Sequence, residues 1–144
     1  MPLYLADTSV WAWANKKIRP DITAKLARRF ERDEVATCVP VVLEALHRAS
    51  TGFEYEALFN GLFARIRWLP LADGAAERAV QVQREMAQIA HGNHLRPAVD
   101  FLVAAIAEAA GGEIILWFFD KDLRIICEHT GQPCEEEVSA RGSH

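Results

Sequence analysis

The stretch IILWFFDKD, residues 114–122, places six consecutive apolar residues directly before two acids. A run this short, rich in β-branched and aromatic side chains, reads as a strand buried on both faces rather than as a helix. Its acids, Asp120 and Asp122, then stand where the strand ends. Working outward, LYLA (Leu3–Ala6) and VATCV (Val35–Val39) are two further short β-prone runs, and Asp7 follows the first as Asp120 follows Phe119. Between these runs the apolar residues recur at helical spacing over Ile22–Arg32, Val41–Ala49, Tyr55–Phe63, Ala75–Ile89 and Ala98–Ala110. Strands joined by crossovers too long for a hairpin imply a parallel sheet covered by helices. The expected fold is an α/β, three-layer α/β/α sandwich with a central parallel sheet.

Punctuation agrees with this order. Asp21 and Asp73 are candidate helix caps, Pro40 and Pro97 suit a first helical turn, and Gly111 and Gly112 stop the helix ending at Ala110. Gly52 and the turn His91–Arg96 are the expected exposed breaks. The CEEEV segment after Gln132 fits either an edge strand or a solvated tail. No repeat or Pro/Gly/Ser linker divides the chain, so residues 1–140 are expected to form one domain. The closing RGSH, Arg141–His144, reads as the start of an expression tag.

The 144 residues are 51% hydrophobic and 25% charged, the composition of a folded globular domain rather than a disordered chain. The longest apolar stretch, Ala98–Ala110, contains Asp100 and Glu108 and is too short to cross a bilayer. The start, MPLYLAD, lacks the basic and apolar regions of a secretory signal. Three cysteines, Cys38, Cys127 and Cys134, with no CxxC pair argue against a disulfide framework and a zinc ribbon. A cytoplasmic protein without a membrane partner is expected. Removing the single positive charge of Arg141 takes the formal charge from −4 to −5, so any contact with nucleic acid must rely on local cations.

Acids at four places, the last occupied by the pair Asp120 and Asp122, stand where a structural role is not the whole explanation. Asp7 sits at a strand end, the edge at which open α/β sheets bind ligands, although it could equally cap the helix starting near Ser9. Glu44 interrupts PVVLEAL, and a carboxylate in such apolar company needs a partner unless it lies on an exposed face. Asp100 falls beside the stripe Val99, Leu102, Val103, Ile106 and Ala110, on the flank shared with Val103 and Ala107, where it would face a cleft edge; it would also suit a helix N-terminus. Asp120 and Asp122 could form a polar turn, with Asp122 capping the next helix. Taken together, two acids from strand ends and two from helices converge, and clustered carboxylates are tolerable when a hard divalent cation such as Mg²⁺ or Mn²⁺ neutralises them. Such an ion can polarise a phosphodiester and activate water for in-line attack.

Arg96, Lys121 and Arg124 near the acids, with Lys16, Lys17, Arg28 and Arg29 as a second basic region, are candidate phosphate contacts, though solvated helix faces explain the second group as well. His47, His91, His94 and His129 fit no metal-ligand spacing; His94 and Asn93 remain possible substrate contacts in a turn. Trp11 and Trp13, with Leu58, Phe59, Leu62 and Phe63, suit core packing, or a groove for a partner helix. Cys38 reads as an inert core residue. No GxGxxG, Walker loop or nucleophile elbow is present.

The segments LADTSVW (5–11), VPVVLEAL (39–46), LRPAVDFLVAAIAEAAG (95–111) and ILWFFDKDLRII (115–126) together resemble the PIN-domain family, and within it the VapC-type toxins of prokaryotic toxin-antitoxin pairs. The resemblance spans nearly the whole chain. It implies a PIN-like α/β/α fold and a Mg²⁺- or Mn²⁺-dependent endoribonuclease, with tRNA or rRNA a plausible substrate. It also implies a cognate VapB-type antitoxin and a homodimer. By correspondence Asp7 and Asp100 are the main metal ligands, Glu44 and Asp120 assist metal binding or activate water, and Ser9 is a polar helper. The chain departs from the family's pattern at Phe118, where Thr, Ser or His is common, and at Leu123, where Phe is usual. Whether Asp120 or Asp122 completes the site therefore stays open. Two other functions compete: a PIN-fold module that binds RNA without cutting it, and a phosphotransfer domain using Asp7 as nucleophile. The latter would want a second Asp where Ser9 stands.

Overall fold

The computed structural model describes residues 2–15 and 19–138. Lys16, Lys17 and the RGSH tail lie outside the described residues. Five strands form one parallel sheet: β1 (Leu3–Ala6), β2 (Val35–Thr37), β3 (Arg67–Trp68), β4 (Ile114–Phe118) and β5 (Cys134–Glu136), in the order β3-β2-β1-β4-β5. Helices α1 (Thr8–Asn15) and α2 (Pro20–Glu31) join β1 to β2, and α3 (Val39–Leu46) and α4 (Gly52–Gly61) lead toward β3. Helices α5 (Asp73–Ile89) and α6 (Ala98–Ala110) return the chain to β4, and α7 (Lys121–Thr130) joins β4 to β5. The chain moves away from β1 in one direction through β2 and β3, then in the other through β4 and β5. Right-handed crossovers consequently put helices on both faces, giving the expected three layers.

The strong strand behaves as its composition demands: Leu116, Trp117 and Phe118 are fully buried, as are Leu5 and Ala6 beside them in β1. Pairing Ala6 with Trp117 brings the ends of β1 and β4 level, with Asp7 N donating to Trp117 O at 2.9 Å. Helix α6 differs from the expected single stripe. Asp100, Phe101 and Val103 through Ala107 are all buried, because α6 is packed by α5, α7, α3 and β4.

Local signals moved by a residue or two. Helix α2 starts at Pro20 with Arg19 before it, so Asp21 lies in the first turn and does not cap; instead it accepts two hydrogen bonds from the Arg19 guanidinium. Asp73 likewise follows the cap position, which is Ala72. Gly52 opens α4, capped by Thr51 Oγ1. Strand β3 was not foreseen: two exposed residues carry no burial pattern to read.

The CEEEV segment is an edge strand, and charge holds it there. Glu135 pairs with Arg29 of α2, Glu137 with Lys25 and Trp117 Nε1, and Glu136 with Arg124. The Arg29 guanidinium is stacked 3.6 Å from the Tyr4 ring centre and 4.4 Å from that of Trp117. Arg29 is therefore a structural cation and not a free phosphate contact, which corrects that expectation. Gln132 anchors the approach to β5: it is buried and its Nε2 donates to Ala104 O of α6 at 2.9 Å. Gln132→Ala removes that hydrogen bond, and the urea midpoint is expected to fall by an amount equivalent to about 0.5–1.5 kcal/mol.

Candidate active site

The sheet reverses its direction of growth between β1 and β4, the switch point at whose carboxyl edge open α/β sheets bind ligands. Asp7 leaves the end of β1 and is 3% exposed. One of its oxygens, Oδ2, accepts from Ser9 N at 3.1 Å and Ser9 Oγ at 2.7 Å, so it does cap α1. Its other oxygen, Oδ1, is buried with no partner. The capping reading of Asp7 is thus borne out through Oδ2, while Oδ1 is left without a partner. Ser9 Oγ also accepts from Phe119 N at 2.9 Å, tying the acid of β1 to the chain leaving β4.

Asp100 enters from the first turn of α6. It is 6% exposed, and its Oδ2 is likewise buried without a partner. Burial is the main reason its pKa is pushed up to about 8, with the negative charges of Asp120, Asp7, Asp122 and Glu44 adding to the effect. Asp7 is also raised by burial, against the hydrogen bonds from Ser9. Ligand atoms of Asp100, Asp120 and Asp122 lie within 4.8 Å of one another. Among the described residues this is the one group of three or more metal-capable side chains, and no histidine joins it. Asp120 caps α7, its Oδ1 accepting from Asp122 N at 2.7 Å and Leu123 N at 3.4 Å; the expected cap, Asp122, does not.

Glu44 is placed differently from the expectation. Helix α3 turns Val41, Val42 and Leu46 inward and leaves Leu43 and Glu44 exposed, so Glu44 stands at the rim, where its charge still reaches Asp100. Of the nearby cations, Arg96 is taken by Asp122 at 2.7 Å and Arg124 by Glu136, while Lys121 is exposed. Asn93 accepts two hydrogen bonds from Arg96. Thr8 and Thr37, which the sequence reading passed over, stand at the carboxyl edge of the sheet. Their hydroxyls are buried without partners, and Thr37 ends the strand next to β1, which was the available signal.

The donor set is chemically suited to a hard divalent cation: carboxylates alone, mutually repelling, with two buried oxygens that nothing else satisfies. A model of the PIN domain matches residues 4–128. The chain belongs to the PIN-domain family. Ribonuclease VapC18 of Mycobacterium tuberculosis is 33% identical over 134 residues, spanning 92% of this PIN-domain chain and 93% of that protein. Ribonuclease VapC51 of the same organism is 31% identical over 140 residues, spanning 95% and 94%. Among PIN domains this one is therefore of the VapC type. A DNA-bound VapBC from Salmonella typhimurium shares the fold with a TM-score of 0.71 at 18% identity, over 94% of this chain and 98% of that one. VapBC2 from Rickettsia felis, bound to a DNA fragment from its promoter, does so with a TM-score of 0.72 at 14% identity, over the same shares.

Next to the end of β1 this PIN domain carries a groove of about 510 Å³ walled by α1, α2, α3 and α4. Trp11, Leu26, Leu58, Leu62 and Phe63 line it, with Glu31, Arg48 and Glu54 among its polar residues. Trp11 and Phe63 are buried and pack edge to face at 5.0 Å, so the aromatic stripe serves the core and the groove wall together. Trp13 and Phe59 pack elsewhere, against Phe119 and Trp68. Thr8 belongs to both regions, lining the groove one residue after Asp7.

Proposed function

We propose that this chain is the toxin of a VapBC-type pair, a cytoplasmic endoribonuclease that hydrolyses RNA with Mg²⁺ or Mn²⁺. The observation that carries this reading is the pair of buried, unpartnered oxygens, Asp7 Oδ1 and Asp100 Oδ2, the second belonging to the cluster of Asp100, Asp120 and Asp122. Asp7, Asp100 and Asp120 would hold the cation, with Glu44 at the rim. When bound, it supplies charge neutralisation at the phosphodiester and polarises the attacking water. Ser9 fixes the Asp7 carboxylate through two hydrogen bonds to Oδ2 and so leaves Oδ1 for the cation. Glu44, exposed and close to Asp100, is placed to accept a proton from water entering from solvent. Asp100 can serve as a donor once its proton has left, so metal binding strengthens as the pH rises toward about 8.

Single-stranded loops of tRNA or rRNA are the substrate class that offers an accessible backbone to such a site. A VapB-type antitoxin fits the apolar groove as an amphipathic segment, and the groove's continuity with Thr8 would carry a basic side chain to the acids. Val39 and Leu43, exposed apolar residues one turn apart on α3, support a homodimer. Purified protein free of antitoxin is expected to produce discrete fragments from total RNA with Mn²⁺ and none with EDTA. Asp7→Asn should abolish them. Cleavage that survives both EDTA and Asp7→Asn would refute the metal-dependent assignment, and tight RNA binding without fragments would favour a non-cleaving module.

A further inference from the structure

We propose that Arg96 is a positioning residue that claims Asp122, removes it from the metal's donor set, and leaves Asp7, Asp100 and Asp120 to bind the ion. The inference rests on the metal-dependent reading above and decides which of the two acids after β4 completes the site.

The Arg96 side chain is 12% exposed, and every arm of its guanidinium is occupied. Nη1 donates to Asp122 Oδ1 at 2.7 Å, Nη2 to Asn93 Oδ1 at 2.9 Å, and Nε to Asn93 O at 3.0 Å. A fork held on three sides is fixed in place and has little left to offer a phosphate. Arg96 also stands four residues before Asp100, in the turn that leads into α6, where Asp100 N donates to Pro97 O at 3.0 Å. One side chain therefore joins the entry of α6 to the first turn of α7, the two segments that deliver Asp100 and Asp120.

Charge explains the division of labour. Asp100, Asp120 and Asp122 present ligand atoms within 4.8 Å of one another, and mutual repulsion would push α6 and α7 apart. Arg96 neutralises one of the three. A divalent ion approaching Asp122 would meet that guanidinium, whereas among the described residues no cation pairs with Asp120. The Asp120 oxygen Oδ1 is engaged by the start of α7, which fixes the carboxylate's orientation. Two acids that look alike in FFDKDL thus differ: one is a ligand, the other the counter-ion of Arg96.

The test is a cycle on the full chain with Mn²⁺ as probe, read by the free-ion electron paramagnetic resonance signal and by thermal melting with and without the ion. Asp120→Asn keeps the cap and should weaken Mn²⁺ binding by about tenfold or more, while Asp122→Asn should change it by less than about threefold. Arg96→Gln releases the Asp122 charge; it should lower the metal-free melting temperature and tighten Mn²⁺ binding by about fivefold. The gain in Mn²⁺ affinity should vanish in the Arg96→Gln/Asp122→Asn double variant, whose melting loss should be smaller than the sum of the two single losses, and Arg96→Lys should restore wild-type Mn²⁺ affinity. Equal losses in Asp120→Asn and Asp122→Asn would overturn the proposal, as would an Arg96→Gln effect that persists undiminished with Asp122→Asn. Wild type that binds no Mn²⁺ would sink the metal reading instead. The metal-free melting cycle then decides the clamp by itself, additive shifts refuting it.

Discussion

Asp100→Asn is expected to abolish metal-dependent RNA cleavage while making the metal-free protein harder to melt. The loss should be at least ~10³-fold, since a bound divalent ion contributes several kcal/mol to the transition state and this carboxylate is one of its buried donors. The gain follows from the raised pKa. An Asp whose carboxyl moves from 3.8 in the unfolded chain to about 8 in the fold contributes its full stability when protonated in both states, below 3.8. That stability drains away as the pH rises toward 8, because the unfolded chain ionises freely and the buried carboxyl resists. The metal-free wild type should therefore lose melting temperature steadily from about pH 5 to pH 8. The amide introduced by Asp100→Asn cannot ionise, so the variant's profile should be flatter and, at pH 8, higher by about 5 °C or more. Mn²⁺ should flatten the wild-type profile and leave the variant unmoved. Differential scanning calorimetry across pH, with and without the ion, measures all of this; a variant that melts lower than wild type at pH 8 would contradict the burial argument.

Leu58→Arg is expected to separate neutralisation from catalysis. Leu58 lines the apolar groove from α4, a helix with no fully buried residue, and is itself half-buried against the core, so the exchange gives up only part-buried packing. A guanidinium there displaces an apolar segment of the antitoxin and leaves that segment's side chains facing a charge. The equilibrium constant for a VapB-type partner should weaken by ~30-fold or more, the scale of a central interface residue. RNA cleavage by the free variant should stay at the wild-type rate, since the groove meets the acid site only near Thr8. Calorimetric titration with the cognate antitoxin, beside a cleavage assay, reads the two effects separately. If binding is unchanged, the partner does not occupy this groove.

How much was legible beforehand varies by element. IILWFF declared itself because a central parallel strand has no polar face to disguise it, and its observed bounds, Ile114–Phe118, differ by one residue. Ala98–Ala110 was legible to the residue, bracketed by Pro97 and two glycines. Strand β3 and the character of CEEEV were not, since edge strands are held by partners distant in the chain: β5 rests on Lys25, Arg29 and Arg124. Glu44 was misplaced because apolar neighbours in sequence say nothing about which side of a short helix meets the core. Asp21 missed the cap position by two residues and Asp73 by one, the ordinary uncertainty of a helix end.

What the sequence by itself determined was the alternation of buried strands with amphipathic helices, and the delivery of acids at the ends of β1 and β4. Both follow from local rules, because side-chain period and strand length are written in contiguous residues. Tertiary structure alone decided which oxygens of those acids are free. Asp7 Oδ1 and Asp100 Oδ2 are unpartnered, and Asp122 is paired with Arg96, because folding set β1 beside β4 and closed the turn before α6 onto α7. The charge on a carboxylate is a property of its residue. Whether that charge is spent on a neighbour or left for an ion depends on what stands within about 3 Å of it, and the chain order does not contain that distance.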